Sequence, residues 1–307
     1  MKNFSSIKKS LVIFGLIWFF ISCNSGNVTT QSEDNESFTF VFMTDIHLQP
    51  ERNAVEGFRQ AIDSVNKFNP DFIITGGDLV MDVLGQNYQR ADLLYNLYEK
   101  TVKSFNMPVY NTMGNHEVFG IYEKSGVEKN HPEYGEKMYE NRIGKRYYSF
   151  DHKGWHFLIL DSVEDTGESS YIGKVDDEQM EWIKSDLEKS NHSTPIVVSV
   201  HIPFITSYMQ IFYGSLEPNS ESLVITNSKE VLELFKDYNL KLVLQGHLHF
   251  LEDIYVQGTH FITAGAVCAR WWKGTGHGME EGFLVVNING DDFNWEYFDY
   301  GWEAEEE

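Results

Sequence analysis

Five short apolar runs, each closed by polar residues able to bind a cation, set the pattern of this chain. Residues 72–75, Phe-Ile-Ile-Thr, are nearly all apolar and β-rich, as in a strand buried on both faces. Gly76 and Gly77 end the run, let the backbone turn tightly and lead to Asp78. Residues 40–43 lead likewise into Asp45 and His47, and 109–113 into Gly114-Asn115-His116-Glu117. Residues 196–200 lead into His201, and 242–245 into Gly246-His247-Leu248-His249. Between the first three runs, apolar residues recur at helical spacing: Val55, Phe58, Ile62 and Val65 within 53–68, then Leu93, Leu94, Leu97, Tyr98 and Val102 within 88–105. Such a β-α-β-α-β run implies a parallel sheet with helices outside, and open α/β sheets place ligands at the carboxyl ends of their strands.

The rest of the chain adds strands and two more helices. Residues 146–150 and 156–160 flank Asp151-His152-Lys153-Gly154 and predict an antiparallel hairpin. Asp176 caps a helix to residue 189, with Met180, Ile183 and Leu187 inward. Ser228 opens another over 230–238, and further strands are predicted at 251–256, 259–264, 282–288 and 292–299. Two stretches, 118–141 and 203–222, lack firm periodicity. Loops of this length are usually functional, and these two are expected to wall a cleft.

The length, 307 residues, and an apolar content of 42% suit one large domain with a real core. The net charge of −22 disfavours a long nucleic acid as partner. A small phosphate ester stays open, because the charge of a nearby metal outweighs the distant field. No obligate protein partner is evident, and two cysteines exclude a disulfide scaffold. At the start, Lys2, Lys8 and Lys9 accompany an almost wholly apolar stretch, 11–21, then Ser22-Cys23. This predicts an export signal, too short for a comfortable membrane span. Phe20-Ile21-Ser22-Cys23 resembles a bacterial lipoprotein cleavage box, which implies lipid on Cys23 and anchorage at a bacterial membrane, facing the periplasm or the outside. The expected organisation is a signal at 1–22, a flexible polar tether at 23–37, a catalytic domain at 38–300 and an acidic tail at 301–307.

The strand ends supply seven metal donors: Asp45, His47, Asp78, Asn115, His201, His247 and His249. Carboxylate, imidazole and amide suit Zn, Fe, Mn or Ni better than Ca, and no thiolate is in reach along the sequence. Seven donors are too many for one tetrahedral site but suffice for two ions if Asp78, leaving the central strand, bridges them. Two ions about 3.5–4 Å apart clamp both oxygens of an in-line displacement and generate hydroxide at ordinary pH, which fits hydrolysis of a phosphate ester. His116 is expected to contact a phosphoryl oxygen or protonate the leaving group, kept charged by Glu117 or another carboxylate.

Taken together, Asp45-x-His47, Gly77-Asp78, Gly114-Asn115-His116-Glu117, the lone His201 and Gly246-His247-x-His249 resemble the calcineurin-like metallophosphoesterase family across about residues 40–265. The resemblance implies an α/β fold, a four-layer α/β/β/α sandwich of two mixed sheets flanked by helices. It implies a first transition-metal ion on Asp45, His47, Asp78 and His249, and a second on Asp78, Asn115, His201 and His247. A hydroxide between them would attack phosphorus with help from His116. His47 is similar to the class III cyclic-nucleotide and general phosphodiesterases; purple acid phosphatases place Tyr there. Gly265-Ala266-Val267, Trp271-Trp272-Lys273-Gly274 and Glu281-Gly282-Phe283 resemble exported Bacteroidetes-type phosphoesterases. The expected activity is hydrolysis of small phosphodiesters, with a phosphomonoesterase or nucleotidase as the alternative. A non-catalytic scaffold is a remote third, having no need of all seven donors. Trp271 or Trp272 is expected to stack on a flat ester substituent and Arg270 to hold a phosphate oxygen. Cys268 is expected to be a small buried apolar residue.

Overall fold

Alternation along β1 (Phe38–Met43) decides the layering. Successive side chains of a strand point to opposite faces. Phe38, Phe40 and Phe42 enter one core cluster, whereas Val41 and Met43 enter another. The computed structural model describes residues 37–304. The expected signal, Cys23 and nearly all of the tether lie outside the described residues, as does the end of the acidic tail. Among the described residues, no helix is long and apolar enough to cross a membrane.

The first sheet runs β13-β12-β1-β2-β3, with β2 at Phe72–Thr75, β3 at Val109–Asn111, β12 at Gly282–Asn289 and β13 at Asp292–Asp299. β1, β2 and β3 are parallel, and the returning β12 and β13 are antiparallel. The second sheet runs β10-β11-β9-β8-β5-β4. Its strands are β4 (Tyr148–His152), β5 (Trp155–Ile159), β8 (Pro195–Ser199), β9 (Asn239–Gln245), β10 (Glu252–Val256) and β11 (Thr259–Thr263). β5, β8, β9 and β11 are mutually parallel.

The two sheets face each other through an apolar layer. Phe40, Phe42, Phe72 and Ile74 of the first meet Trp155, Phe157, Val197 and Leu244 of the second. Phe72 stacks on Phe40 at 5.3 Å between ring centres and meets Phe157 edge-on at 5.3 Å. Each buried Phe contributes about 1.5–3 kcal/mol, so this layer is the main bond between the sheets. The outer faces are covered by helices: α1 (Ala54–Phe68) and α2 (Tyr88–Thr101) on the first sheet, α4 (Asp177–Leu187) and α6 (Ser228–Leu234) on the second. The expected sandwich is therefore the observed one. A polar link ties the second sheet to α4: buried His156 bonds Asp151 at 2.6 Å and Asp186 at 2.8 Å. Burial opposes a charged ring there, but the two carboxylates outweigh it and the imidazole pKa is raised.

Two strands and two α-helices add to the expected list. β6 (Val163–Asp165) and β7 (Tyr171–Gly173) form a separate ribbon, and α5 (Tyr208–Phe212) is a short helix inside the second excursion. The first excursion corrects an expectation. It holds α3 (Lys137–Arg142) and buries Phe119, Ile121, Met138 and Tyr139 in the core, so these apolar side chains pack the domain.

Candidate dinuclear metal centre

The carboxyl ends of β1, β2 and β3 and those of β8 and β9 meet at one edge of the sandwich. The turns that leave them are tight. Gly77 has φ of 91°, and a Cβ there would sit 2.6 Å from His201 Nδ1. A Cβ on Gly246 would lie 2.0 Å from Thr44 Oγ1. Glycine is needed at both positions because a side chain, the His201 ring at one and the Thr44 hydroxyl at the other, approaches so closely.

Asp78 is the central side chain. Its Oδ1 accepts a hydrogen bond from the His116 backbone N–H at 2.9 Å. Its Oδ2 faces His201 Nε2 at 3.2 Å on one side and His47 Nε2 at 3.6 Å on the other. Around the first of two foci, His47 Nε2 and His249 Nε2 lie 3.0 Å apart. Asp45 Oδ1 is 3.3 Å from His249 Nε2, fully buried and without a hydrogen-bond partner. Around the second, Asn115 Oδ1 is 3.1 Å from His201 Nε2, and donors of Asp78, His201 and His247 lie within 4.8 Å of one another.

These groups fit cations. The nitrogens turned away from the foci are mostly anchored on backbone carbonyls. His201 Nδ1 bonds Gly76 O at 2.8 Å, His247 Nε2 bonds Ser222 O at 3.0 Å, and His249 Nδ1 bonds Ala269 O. Such outer bonds fix which nitrogen carries the proton and leave the other lone pair for a metal. For His247 that free atom is Nδ1. Burial lowers His47 to about 4 and His247 to about 3, so both rings are neutral. Burial opposes ionisation of Asp45 and Asp78, yet the surrounding histidines hold both well below the carboxylate range. His201 is buried too, but Asp78 lifts it to about 9. Buried anions that draw a proton onto an imidazole are anions that require a cation. Two clusters of His and Asp are thus positioned for two ions.

His116 stands beside the foci, its Nε2 3.8 Å from Asp78 Oδ2. Its Nδ1 accepts the Asp82 backbone N–H at 3.0 Å. A ring that accepts at Nδ1 carries its proton on Nε2, toward the cleft. Of the carboxylates expected beside this ring, the near one is Asp78 and not Glu117. Glu117 is buried and accepts three backbone N–H bonds, from Gly114 at 2.7 Å, Asp78 at 2.9 Å and Val80 at 3.1 Å. Burial and then Asp78 raise its pKa to about 8. Glu117 therefore holds the Asp78 and Asn115 turns together, a role that its motif position alone did not reveal.

A cleft of about 400 Å³ opens beside the foci, lined by His247, His249, Tyr171, Tyr208, Trp271 and His277 among others. Arg270 also lines it. The Trp271 ring is 40% exposed and 4.9 Å from the His249 ring. Trp272 is a correction. It is 2% exposed, and its indole N–H donates to Ile46 O at 3.0 Å and His47 O at 3.1 Å. It braces the His47 turn from below and has no face for a ligand. The cleft wall comes from β7, α5 and the 269–277 loop; of the two excursions, only the second reaches it, through Tyr208.

A metal-dependent hydrolase is what this fold and centre define. The chain belongs to the calcineurin-like phosphoesterase family, whose model matches residues 38–251. It is 22% identical over 266 residues to a probable cyclic nucleotide phosphodiesterase of Xenorhabdus bovienii, covering 82% of this chain and 96% of that one. It is 30% identical over 152 residues to purple acid phosphatase 23 of Arabidopsis thaliana, covering 48% of this chain and 29% of the plant protein. The fold is similar to that of a dimetal phosphatase from Danio rerio, with a TM-score of 0.56 at 14% identity over 86% of this chain and 99% of that one.

Proposed function

We propose that the protein hydrolyses small phosphodiesters. Asp45, His47, Asp78 and His249 would hold one ion, and Asp78, Asn115, His201 and His247 the other. The observation that carries this reading is Asp78 Oδ2, which lies between two sets of imidazole nitrogens and so is placed to bridge. When bound, the ions supply a water-derived nucleophile and screen the phosphoryl charge. The chain's own groups do the rest. His116 donates from Nε2 to a phosphoryl or leaving-group oxygen. Trp271 offers its exposed face to a flat ester substituent, and Arg270, which lines the same cleft, would hold a phosphate oxygen. The apolar wall of Tyr171, Tyr208 and Trp271 favours a second substituent over a bare dianion, which supports a diester. The similarity to a probable cyclic nucleotide phosphodiesterase supports the same choice.

The test is one panel on Mn-, Zn- and Fe-loaded enzyme: bis-p-nitrophenyl phosphate, p-nitrophenyl phosphate, cyclic AMP, glycerophosphodiesters and mononucleotides. A diester should lead in kcat/KM by about tenfold or more, roughly 1.4 kcal/mol in transition-state binding. A monoester leading by as much would make this a phosphomonoesterase. The apolar 11–21 stretch and Cys23 support a place on the bacterial envelope, held by lipid. Cys23→Ser should move the protein out of the membrane fraction or block its maturation; unchanged mass and retention would refute the anchor.

A further inference from the structure

We propose that the Cys268 thiolate is an additional ligand of the first ion, the one assigned to Asp45, His47, Asp78 and His249. The proposal rests on the two-ion reading above and names a donor beyond it.

The thiol reaches the centre through the sheet, not through the sequence. Beyond β11 the chain runs on beside the end of β1. Ala266 bridges to Thr44, Val267 N–H bonds Thr44 O at 2.9 Å, and Cys268 N–H bonds Asp45 O at 3.3 Å. This register carries Cys268 to the level of Asp45. Its sulfur and a nitrogen of each of His47 and His249 lie within 4.8 Å of one another. Metal bonds of about 2.3 Å to sulfur and 2.0–2.1 Å to imidazole put donors on one ion up to roughly 4.4 Å apart. Metal binding would require the Cys side chain to turn so that the sulfur comes within that range.

Two further observations point the same way. Asp45 Oδ1 is buried at the same focus with no hydrogen-bond partner, and its other oxygen is engaged by Thr44 Oγ1 at 2.7 Å and the His247 N–H at 3.0 Å. An anionic oxygen left bare inside a protein is costly unless a cation meets it. The thiol lies against the His249 side chain and the Trp271 backbone, with a weak further contact to Ala269 O at 3.8 Å. That carbonyl is the one already bonded by His249 Nδ1. The sulfur is thus held beside His249, a residue assigned to the first ion.

Binding would form one sulfur–metal bond and release the thiol proton to solvent, with no change of oxidation state. A thiolate selects softer ions, so the first site should favour zinc or ferrous iron over manganese or magnesium.

The test uses the full chain carrying Cys23→Ser, which leaves Cys268 as its sole thiol. Cobalt(II) is titrated in, bound cobalt is counted, and the near-ultraviolet sulfur-to-cobalt charge-transfer band is recorded. The expected result is two cobalt ions per chain with a band that saturates at one equivalent. Cys268→Ser should abolish the band and weaken zinc at one of two sites by about tenfold or more, with a smaller change for manganese. Two bound cobalt ions without the band would overturn the Cys268 assignment and leave the two-ion reading standing. No bound cobalt would overturn both. Should the Ser variant fail to fold, the spectrum of the parent chain decides alone.

Discussion

Replacing Asp78 with Asn should cost the enzyme both ions and lower kcat/KM by about 10⁴-fold or more, roughly 5 kcal/mol of transition-state stabilisation. Its Oδ2 is, among the described residues, the carboxylate atom that faces His47 and His201 together. Asn keeps the shape and can still accept the His116 N–H through its oxygen, so the turn should survive. It lacks the charge that offsets two cations in a buried site. Elemental analysis of protein purified without chelator, with circular dichroism as the fold control, gives the answer. Two ions retained, or activity within tenfold of the parent, would show that Asp78 does not bridge.

His116→Ala should lower kcat by about 10²–10⁴-fold while the count of two ions is unchanged. The reasoning starts from the tautomer. The Asp82 N–H occupies Nδ1, so the ring's proton is on Nε2 and faces the cleft. That arrangement makes a donor, and it leaves no lone pair aimed at the foci. The loss should be larger for an alkyl phosphodiester than for a p-nitrophenyl ester, because a poor leaving group depends more on a proton donor. Equal losses would assign the ring to a phosphoryl oxygen instead. Loss of an ion along with the imidazole would make His116 a ligand and remove this role.

Much of this site was legible because its donors sit immediately after strands, and a buried strand announces itself by composition. Asp78 follows Phe72–Thr75 by two glycines, and that local grammar is enough. What was not legible depends on where distant segments meet. β6 and β7 are three residues each, too short for any period to show, yet β7 brings Tyr171 to the cleft. Trp271 and Trp272 are neighbours with the same composition. Both have left-handed backbone, φ of 51° and 65°, and that turn sends one ring out and the other under His47. Cys268 stands far along the chain from Asp45 but beside it in the sheet register. Glu117 carries no mark that separates a partner for His116 from a clamp on three backbone amides.

The donors themselves stand on unusual backbone. Asp45, His47, Asp78, His247 and His249 all have positive φ, between 45° and 73°. A left-handed residue with a side chain costs roughly 1–2 kcal/mol, less for Asp and more for bulkier groups. The chain thus carries a standing tension between durability and chemistry. Selection for heat resistance alone, with no demand for turnover, should enrich glycine and asparagine at these five positions and empty the centre within a few rounds. Relatives that kept the fold but gave up catalysis should carry the same erosion as a historical trace, with their glycines marking where the metals used to be.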